Sequence, residues 1–157
     1  MNLYEKTLDA HATITGKTHD QLIDSIHDLC DISTDYTLEG RSVLGKVVRV
    51  IDGDSMKVSI PVDGHVWTFP VILSGIDCPE IRTRNEKEKA LGILAKNKVE
   101  ELVMGKIVSL KLGEFDSFGR LFGIITTSDG IDVAEDLISS GLAIRYEGGK
   151  RPSWGDA

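Results

Sequence analysis

The chain has 157 residues, of which 41% are hydrophobic and 27% are charged, a composition that fits one compact domain and excludes a second large one. Two cysteines, Cys30 and Cys78, are too few and too far apart for a disulfide framework or a cysteine-rich zinc site. The net charge of −7 opposes nonspecific binding to a polyanion, but residues 1–40 hold eight of the 25 acidic residues and only two of the 18 basic ones, so the remainder is nearly neutral.

Residues 1–12 contain Glu5 and Asp9 and no apolar run, which argues against a secretory signal. No stretch reaches the roughly 18 apolar residues that a membrane span requires. We therefore expect an intracellular, cytoplasmic protein without a membrane partner.

Residues 18–30 carry the first helix signal. Thr18 followed by Gln21 has the form of a capping box. Five apolar residues recur after it at helical spacing, namely Leu22, Ile23, Ile26, Leu29 and Cys30. The pattern predicts an amphipathic helix whose apolar stripe either packs on the rest of the chain or mediates self-association with a second copy.

The character of the sequence changes after the polar residues 31–40, so we expect an acidic helical extension over residues 1–40 and a main domain over residues 41–157. Apolar runs and turn signals in the main domain predict, in order, strands at 43–51, 54–61 and 65–76, a helix at 85–104, strands at 108–112 and 120–127, and a short helix after Asp132. Five strands divided three and two by a helix are typical of an OB-type Greek-key barrel. The expected fold is α+β and mainly β, a five-stranded barrel with two to three helices besides the N-terminal one.

Two of the predicted strands end in an aspartate on the side that should face the barrel interior. The two-residue period extends the apolar face of the second strand back to Asp54 and that of the third strand forward to Asp77. An ionised carboxylate is costly to bury unless a cation or hydrogen-bond donors compensate it. A shared hard divalent cation, calcium before zinc, explains both aspartates; alternatively, each one simply ends its strand in a turn.

Four short motifs give the sequence a specific resemblance. They are Val50-Ile51-Asp52-Gly53-Asp54-Ser55, Gly75-Ile76-Asp77-Cys78-Pro79-Glu80, Phe115-Asp116-Ser117-Phe118-Gly119-Arg120-Leu121 and Gly141-Leu142-Ala143. Over residues 43–147 this series resembles the staphylococcal nuclease family, whereas residues 1–40 lie outside the resemblance. The resemblance implies an OB barrel with helices and the calcium-dependent hydrolysis of DNA and RNA to 3′-phosphate ends.

The resemblance also implies a metal site. Asp54, Asp77 and the backbone carbonyl of Cys78 resemble the calcium ligands, and Asp52 resembles an acid that shapes the site behind them. Cys78 replaces a threonine of the founding member, an exchange that a main-chain ligand tolerates.

Catalytic and substrate-binding roles follow from the same resemblance. Glu80 resembles the residue that orients or deprotonates the attacking water, and Arg120 the residue that binds the scissile phosphate. These roles suit phosphoryl transfer, which depends on positioning and on charge neutralisation. Phe118 stands where the founding member has a phosphate-contacting tyrosine, and Tyr146 resembles a nucleotide-contacting tyrosine, although a packing role fits it equally.

One position departs from the family pattern. The family places a second phosphate-binding arginine five residues before the metal-binding aspartate, and here that position is Ile72. The loss of one such donor costs about 3 kcal/mol of transition-state stabilisation. We expect weakened catalysis, compensation by a neighbour such as Arg82 or Arg84, or a domain that binds without cutting.

Two functions are therefore compatible with the sequence. The first is a metal-dependent nuclease acting on DNA or RNA, favoured because Asp52, Asp54, Asp77, Glu80 and Arg120 are all present. The second is a degenerate OB module that binds nucleic acid or protein, favoured by Ile72, Phe118 and the low pI.

Overall fold

The computed structural model describes residues 1–154 of the chain. It divides into two compact units, Met1–Tyr36 and a second that begins at Thr37, slightly before the boundary expected at residue 40. None of the helices in the described part of the chain combines the length and the apolar character that crossing a membrane would need.

The first unit consists of two helices, α1 (Leu3–Thr15) and α2 (His19–Asp31). α2 is the predicted helix, and its capping box forms as expected. α1 was not predicted, although Asn2 and Glu5 form a capping box and Gly16 ends the helix in the left-handed conformation. An apolar groove within this unit is lined by Tyr4, Thr7, Leu8, His11, Leu22, Ile23 and Ile26. Self-association through the apolar stripe of α2 stays a prediction.

The second unit is built on a closed five-stranded barrel, which confirms the predicted fold class. Its strands are β1 (Ser42–Asp52), β2 (Ser55–Val62), β3 (His65–Leu73), β5 (Ile107–Phe115) and β6 (Leu121–Thr126), and two short strands, β4 (Ile76–Asp77) and β7 (Ile144–Arg145), pair with each other outside the barrel. The order around the barrel is β1-β2-β3-β6-β5. Neighbouring strands are antiparallel except β3 and β6, which are parallel.

The barrel interior and one face of the helix α3 (Glu86–Val103) share a single core. The inward residues of β2 alternate with outward ones as the strand period requires, and they are Met56, Val58, Ile60 and Val62. α3 contributes Ala95, Val99 and Val103 at helical spacing, and the short helix α4 (Val133–Ser139) contributes Leu137. This packing fixes α3 against the barrel, close to the end of β1.

The predicted third strand, residues 65–76, is wrong at its end, because β3 stops at Leu73. The chain turns at Gly75, which has φ 76°, and β4 leaves the barrel to pair with β7, a strand that the sequence pattern did not predict. The inward face predicted for this strand consists of Trp67, Phe69, Val71 and Leu73, and it fails at its start, because Trp67 is 55% exposed. The position of Asp77 is therefore set by the turn before β4 and not by the alternation of β3. Asp77 is nevertheless buried, with 7% exposure.

Candidate active site

The turn between β1 and β2 carries the first acidic residue of the site. The sequence pattern predicted Asp54 as the first residue of the second strand, but Asp54 lies in the turn and β2 begins at Ser55. Gly53 brings the turn close to its neighbours, since a Cβ atom there would lie 2.7 Å from Cβ of Ala95 and 3.1 Å from Sγ of Cys78. The backbone N–H of Cys78 accordingly donates to Oδ2 of Asp54 at 3.2 Å, which joins the end of β1 to the end of β4.

Asp54 sits among other negative charges. Burial raises the pKa of Asp54 from 3.8 to about 6; the hydrogen bond from Cys78 opposes this shift, and the charges of Asp77 and Asp52 add to it. A positive charge placed among these three carboxylates would relieve their repulsion. The sequence prediction that acidic side chains from separate strand ends converge is consistent with this arrangement.

The thiol of Cys78 belongs to the core. Its side chain is 2% exposed, and burial together with the nearby Asp54 and Asp77 raises the pKa of the thiol. The thiolate that nucleophilic chemistry requires is therefore disfavoured. The backbone of Cys78 lies at the site, where its N–H donates to Asp54 and its carbonyl accepts from Arg151.

Arg120 is held by the turn that precedes β6. Oδ1 of Asp116 accepts the backbone N–H groups of Phe118 and Arg120, and Oδ2 accepts Nε of Arg120 at 2.7 Å. Burial alone would raise the pKa of Asp116, but these hydrogen bonds outweigh it and lower the pKa. The ionised Asp116 thus orients the guanidinium, while Phe118 is 83% exposed with the guanidinium 5.4 Å from its ring centre.

Arg151 is a residue of the site that the sequence analysis missed. Its Nε donates to Oδ1 of Asp77 at 2.9 Å, and its Nη2 donates to the carbonyl of Cys78 at 2.9 Å. Its Nη1 lies 3.5 Å from Oε1 of Glu80. Arg151 lies 74 residues after Asp77 in a polar tail, and nothing in the periodicity of that tail indicates the contact.

Glu88 and Trp154 complete this network, and they were also missed. Glu88, on α3, is 7% exposed; it accepts Nη2 of Arg151 at 3.0 Å and the backbone N–H of Glu80 at 3.1 Å. Burial alone would raise the pKa of Glu88, but these donors lower it. Nε1 of Trp154 donates to Oδ2 of Asp77 at 2.7 Å. The C-terminal segment is thereby anchored to the ends of β4 and α3.

Beside this network lies one open cavity of about 490 Å³. Its charged lining residues are Asp52, Asp54, Asp77, Glu80, Glu147, Arg120 and Arg151. Five carboxylates against two guanidinium groups leave an excess of three negative charges when all are ionised. A phosphate diester is itself negative, so the cavity as it stands needs additional positive charge to hold one.

Residues 70–154 match the protein family described as staphylococcal nuclease homologue, which covers more than half of the chain. The chain belongs to the staphylococcal nuclease homologue family. Among curated relatives, an uncharacterised endonuclease of Escherichia coli is 32% identical over 103 residues, which is 66% of this chain and 61% of the relative. Endonuclease Htp3 of Saprolegnia parasitica is 28% identical over 130 residues, covering 74% of this chain and 62% of the relative.

The relatives extend beyond the matched region. A probable endonuclease, LCL3, of Saccharomyces cerevisiae is 24% identical over 139 residues, and the match covers 85% of this chain but 50% of the yeast protein. The chain thus spans between half and about 62% of the length of these relatives.

The staphylococcal nuclease family implies a bound calcium ion, and the groups that would hold it, Asp54, Asp77 and the backbone of Cys78, line this cavity. The excess negative charge of the cavity favours a cation. Asp77 and the carbonyl of Cys78 accept hydrogen bonds from the protein, but a carboxylate has about four lone pairs and a carbonyl oxygen two, so acceptor capacity remains. Within residues 1–154 no set of three or more acidic, histidine or cysteine side chains is arranged to hold a metal. A cation there consequently needs the backbone carbonyl as a ligand and shares Asp77 with Arg151.

The structure brings some predicted substrate-binding residues to the cavity and leaves others outside. Tyr146 and Ile72 line it, which puts the family's missing arginine position at the cavity wall. Arg82, Arg84 and Phe118 are not among its described lining residues. The expected compensation for Ile72 by Arg82 or Arg84 therefore gains no support from the geometry.

Proposed function

We propose that this protein is a nuclease that hydrolyses phosphodiester bonds in DNA, RNA or both. The observation that carries the proposal is that Glu80, Arg120 and three aspartates, from well-separated segments, line a single open cavity in a chain of the staphylococcal nuclease homologue family. The relatives named above are called endonucleases, which agrees with this reaction.

Each side chain has a chemical task in this proposal. The guanidinium of Arg120, oriented by Asp116, binds nonbridging oxygens of the phosphate and stabilises the charge that develops on them. Glu80 accepts a proton from a water molecule whose oxygen bonds to phosphorus as the bond from phosphorus to the 5′-oxygen breaks. The departing 5′-oxygen takes a proton from solvent, and the products carry a 3′-phosphate and a 5′-hydroxyl.

We propose further that the reaction requires a divalent cation, with calcium preferred. Asp54, Asp77 and the carbonyl of Cys78 would hold it, and Asp52 would add negative charge behind them. When bound, such an ion neutralises the phosphate and polarises its oxygens. The net negative charge of the cavity supports this requirement, because a phosphate diester is negative too and a bound cation would offset their repulsion.

Cleavage of labelled oligonucleotides tests both proposals. Single-stranded DNA and RNA 20-mers with a 5′-fluorophore are incubated with the protein in calcium, in magnesium and in chelator. We expect shortened products with 3′-phosphate ends in calcium and none in chelator, and Asp54→Asn should abolish them where Asp129→Asn, in an exposed turn, does not. Unchanged cleavage in chelator would overturn the metal requirement, and no cleavage in any metal would overturn the nuclease.

A module that binds nucleic acid without cutting it is the second candidate. The specific observation in its favour is Ile72, an apolar side chain on the cavity wall where the family has a cation. It predicts saturable oligonucleotide binding and no products in the same assay.

A further inference from the structure

We propose that Arg151 is a second phosphate-binding catalytic residue, which supplies from the C-terminal segment the guanidinium that Ile72 fails to supply from β3. The inference rests on the proposed nuclease function and names a residue that the family pattern does not assign. Arg151, Ile72 and Arg120 line the same cavity, so a phosphate bound by Arg120 lies within one enclosure with both positions.

The hydrogen bonds of Arg151 leave part of its guanidinium available. Of its five N–H donors, Nε binds Asp77 and the two on Nη2 bind the Cys78 carbonyl and Glu88. The described contacts of Nη1 place it 3.5 Å from Oε1 of Glu80, at ion-pair distance. Among the described residues Nη1 therefore makes no hydrogen bond, only an ion pair with Glu80, so its two protons remain to bind a phosphate oxygen.

Arg151 is also held in place before any substrate binds. Glu88 is buried and fixes Nη2, while Asp77 fixes Nε, so the plane of the guanidinium is set by two separate elements. The segment carrying it is pinned on both sides, by the β4–β7 pairing before it and by the Trp154 contact to Asp77 after it. Preorganised donors of this kind stabilise a developing charge without reorganisation during the reaction.

The position of Arg151 also accounts for how the chain tolerates Ile72. An arginine at position 72 of β3 would add a third guanidinium to a cavity that Arg120 and Arg151 already line. With Ile72 there, a single guanidinium meets Asp77, Glu80 and the substrate. The chain retains two arginines in the cavity, although one of them comes from a different element.

Three variants test the proposal against a structural role for Arg151. Arg151→Ala removes the guanidinium, Arg151→Lys keeps the charge without the fork, and Lys150→Ala removes the neighbouring exposed cation as a matched control. We expect single-turnover cleavage of a labelled DNA 20-mer at saturating protein to fall by roughly 100-fold for Arg151→Ala. The rate for Arg151→Lys should fall nearly as far, and the rate for Lys150→Ala should stay within about twofold of the wild-type rate.

Binding to a phosphorothioate-substituted single-stranded 12-mer, which resists hydrolysis, gives an independent readout. Loss of one phosphate contact makes the dependence of log K on log salt shallower by about 0.7 for a single strand. We expect that change for Arg151→Ala and none for Lys150→Ala.

If Arg151→Ala is also less stable, the double variant Ile72→Arg with Arg151→Ala separates a lost phosphate contact from a loss of stability. Returning a guanidinium to the β3 position should restore at least tenfold of the lost rate, which repair of a merely structural defect would not do. A cleavage rate for Arg151→Ala equal to that of the wild type overturns the proposal. The proposal also fails if Ile72→Arg does not rescue the lost rate and Arg151→Ala leaves the salt dependence of binding unaltered. If the wild type binds the 12-mer but cuts no oligonucleotide, the nuclease proposal fails while the salt dependence still decides whether Arg151 contacts phosphate; a wild type that does neither overturns both.

Discussion

Asp54 is the residue whose ionisation should be most visible in the stability of the protein. Its folded pKa of about 6 lies above the ordinary value of 3.8, so the folded state holds the proton more tightly than the unfolded state does. The resulting stabilisation is complete below about pH 4 and is lost as the pH rises through 6. The full loss is on the order of 3 kcal/mol.

Chemical denaturation in the presence of chelator checks this at pH 5 and pH 8. Relative to the wild type, Asp54→Asn should become progressively more stable between these two values, and Asp129→Asn should show no such trend. Asp116 and Glu88, whose pKa values are lowered, lose their stabilisation at the acid end and therefore do not imitate the effect. A difference between Asp54→Asn and wild type that does not vary with pH would contradict the assignment.

Asp116 should act on cleavage through Arg120. Asp116→Asn replaces the carboxylate oxygen that accepts the hydrogen bond from Nε of Arg120 with an amide group. It also removes the negative charge that orients the guanidinium. We expect single-turnover cleavage to fall about tenfold, because misorientation of a charged donor weakens its stabilisation of the transition state. Ser117→Ala, in the same turn and exposed, is the control, and an equal loss in both variants would point to the turn and away from Arg120.

At this scale the sequence predicts the site residues in the strand-end motifs better than those on α3 and in the C-terminal segment. The apolar faces predicted for the second and third strands each end in an aspartate, Asp54 and Asp77, so the pattern anticipates a shared site even though a turn places Asp77. Arg151 and Glu88 cannot be found in this way, since one lies in a polar tail and the other reads as an ordinary charge in the first turn of a helix. Their contacts depend on where α3 and the C-terminal segment pack, which no local pattern encodes.

The packing of α3 on the loop that carries Glu80 is the element-scale feature with a direct test. Gly92 is buried, and a Cβ atom there would lie 2.8 Å from the carbonyl oxygen of Pro79 and 2.9 Å from that of Glu80. Gly92→Ala should raise helix propensity by about 1 kcal/mol, yet the clash with backbone must shift the loop or the helix. We expect lower stability together with reduced cleavage.

Lys89→Ala, on the exposed side of the same helix, separates the two effects. It changes helix propensity little and touches no backbone of the Glu80 loop, so activity should remain near that of the wild type. A stabilised and fully active Gly92→Ala would show that the helix does not set the position of Glu80.

Secondary structure was predictable where a single period runs through an element. β1, β2 and α3 lie close to their predicted bounds because one face of β2 and of α3 is buried at the expected period and β1 is rich in β-branched residues. The third strand was overextended, since apolar residues continue past Gly75 and conceal the turn there. α1 and β7 were missed because α1 has no fully buried residue and β7 has two residues.

For the whole molecule, every residue assigned to the cavity belongs to the unit that begins at Thr37. We expect deletion of residues 1–36 to leave cleavage within about twofold of the full chain and to leave a cooperative thermal transition. Circular dichroism and the oligonucleotide assay measure both. Loss of activity in a folded truncated protein would give the N-terminal helices a role in the reaction.

The role of Glu80 tests the account most directly, through the single-turnover rate of oligonucleotide cleavage in calcium. Glu80→Gln keeps the size of the side chain and removes its capacity to accept a proton from water, while Glu86→Gln, exposed at the start of α3, is the control. We predict that Glu80→Gln lowers the rate by roughly 100-fold or more with oligonucleotide binding unchanged, and that Glu86→Gln does not. A rate for Glu80→Gln equal to that of the wild type would contradict the assignment of this cavity as the place where the phosphodiester bond is broken.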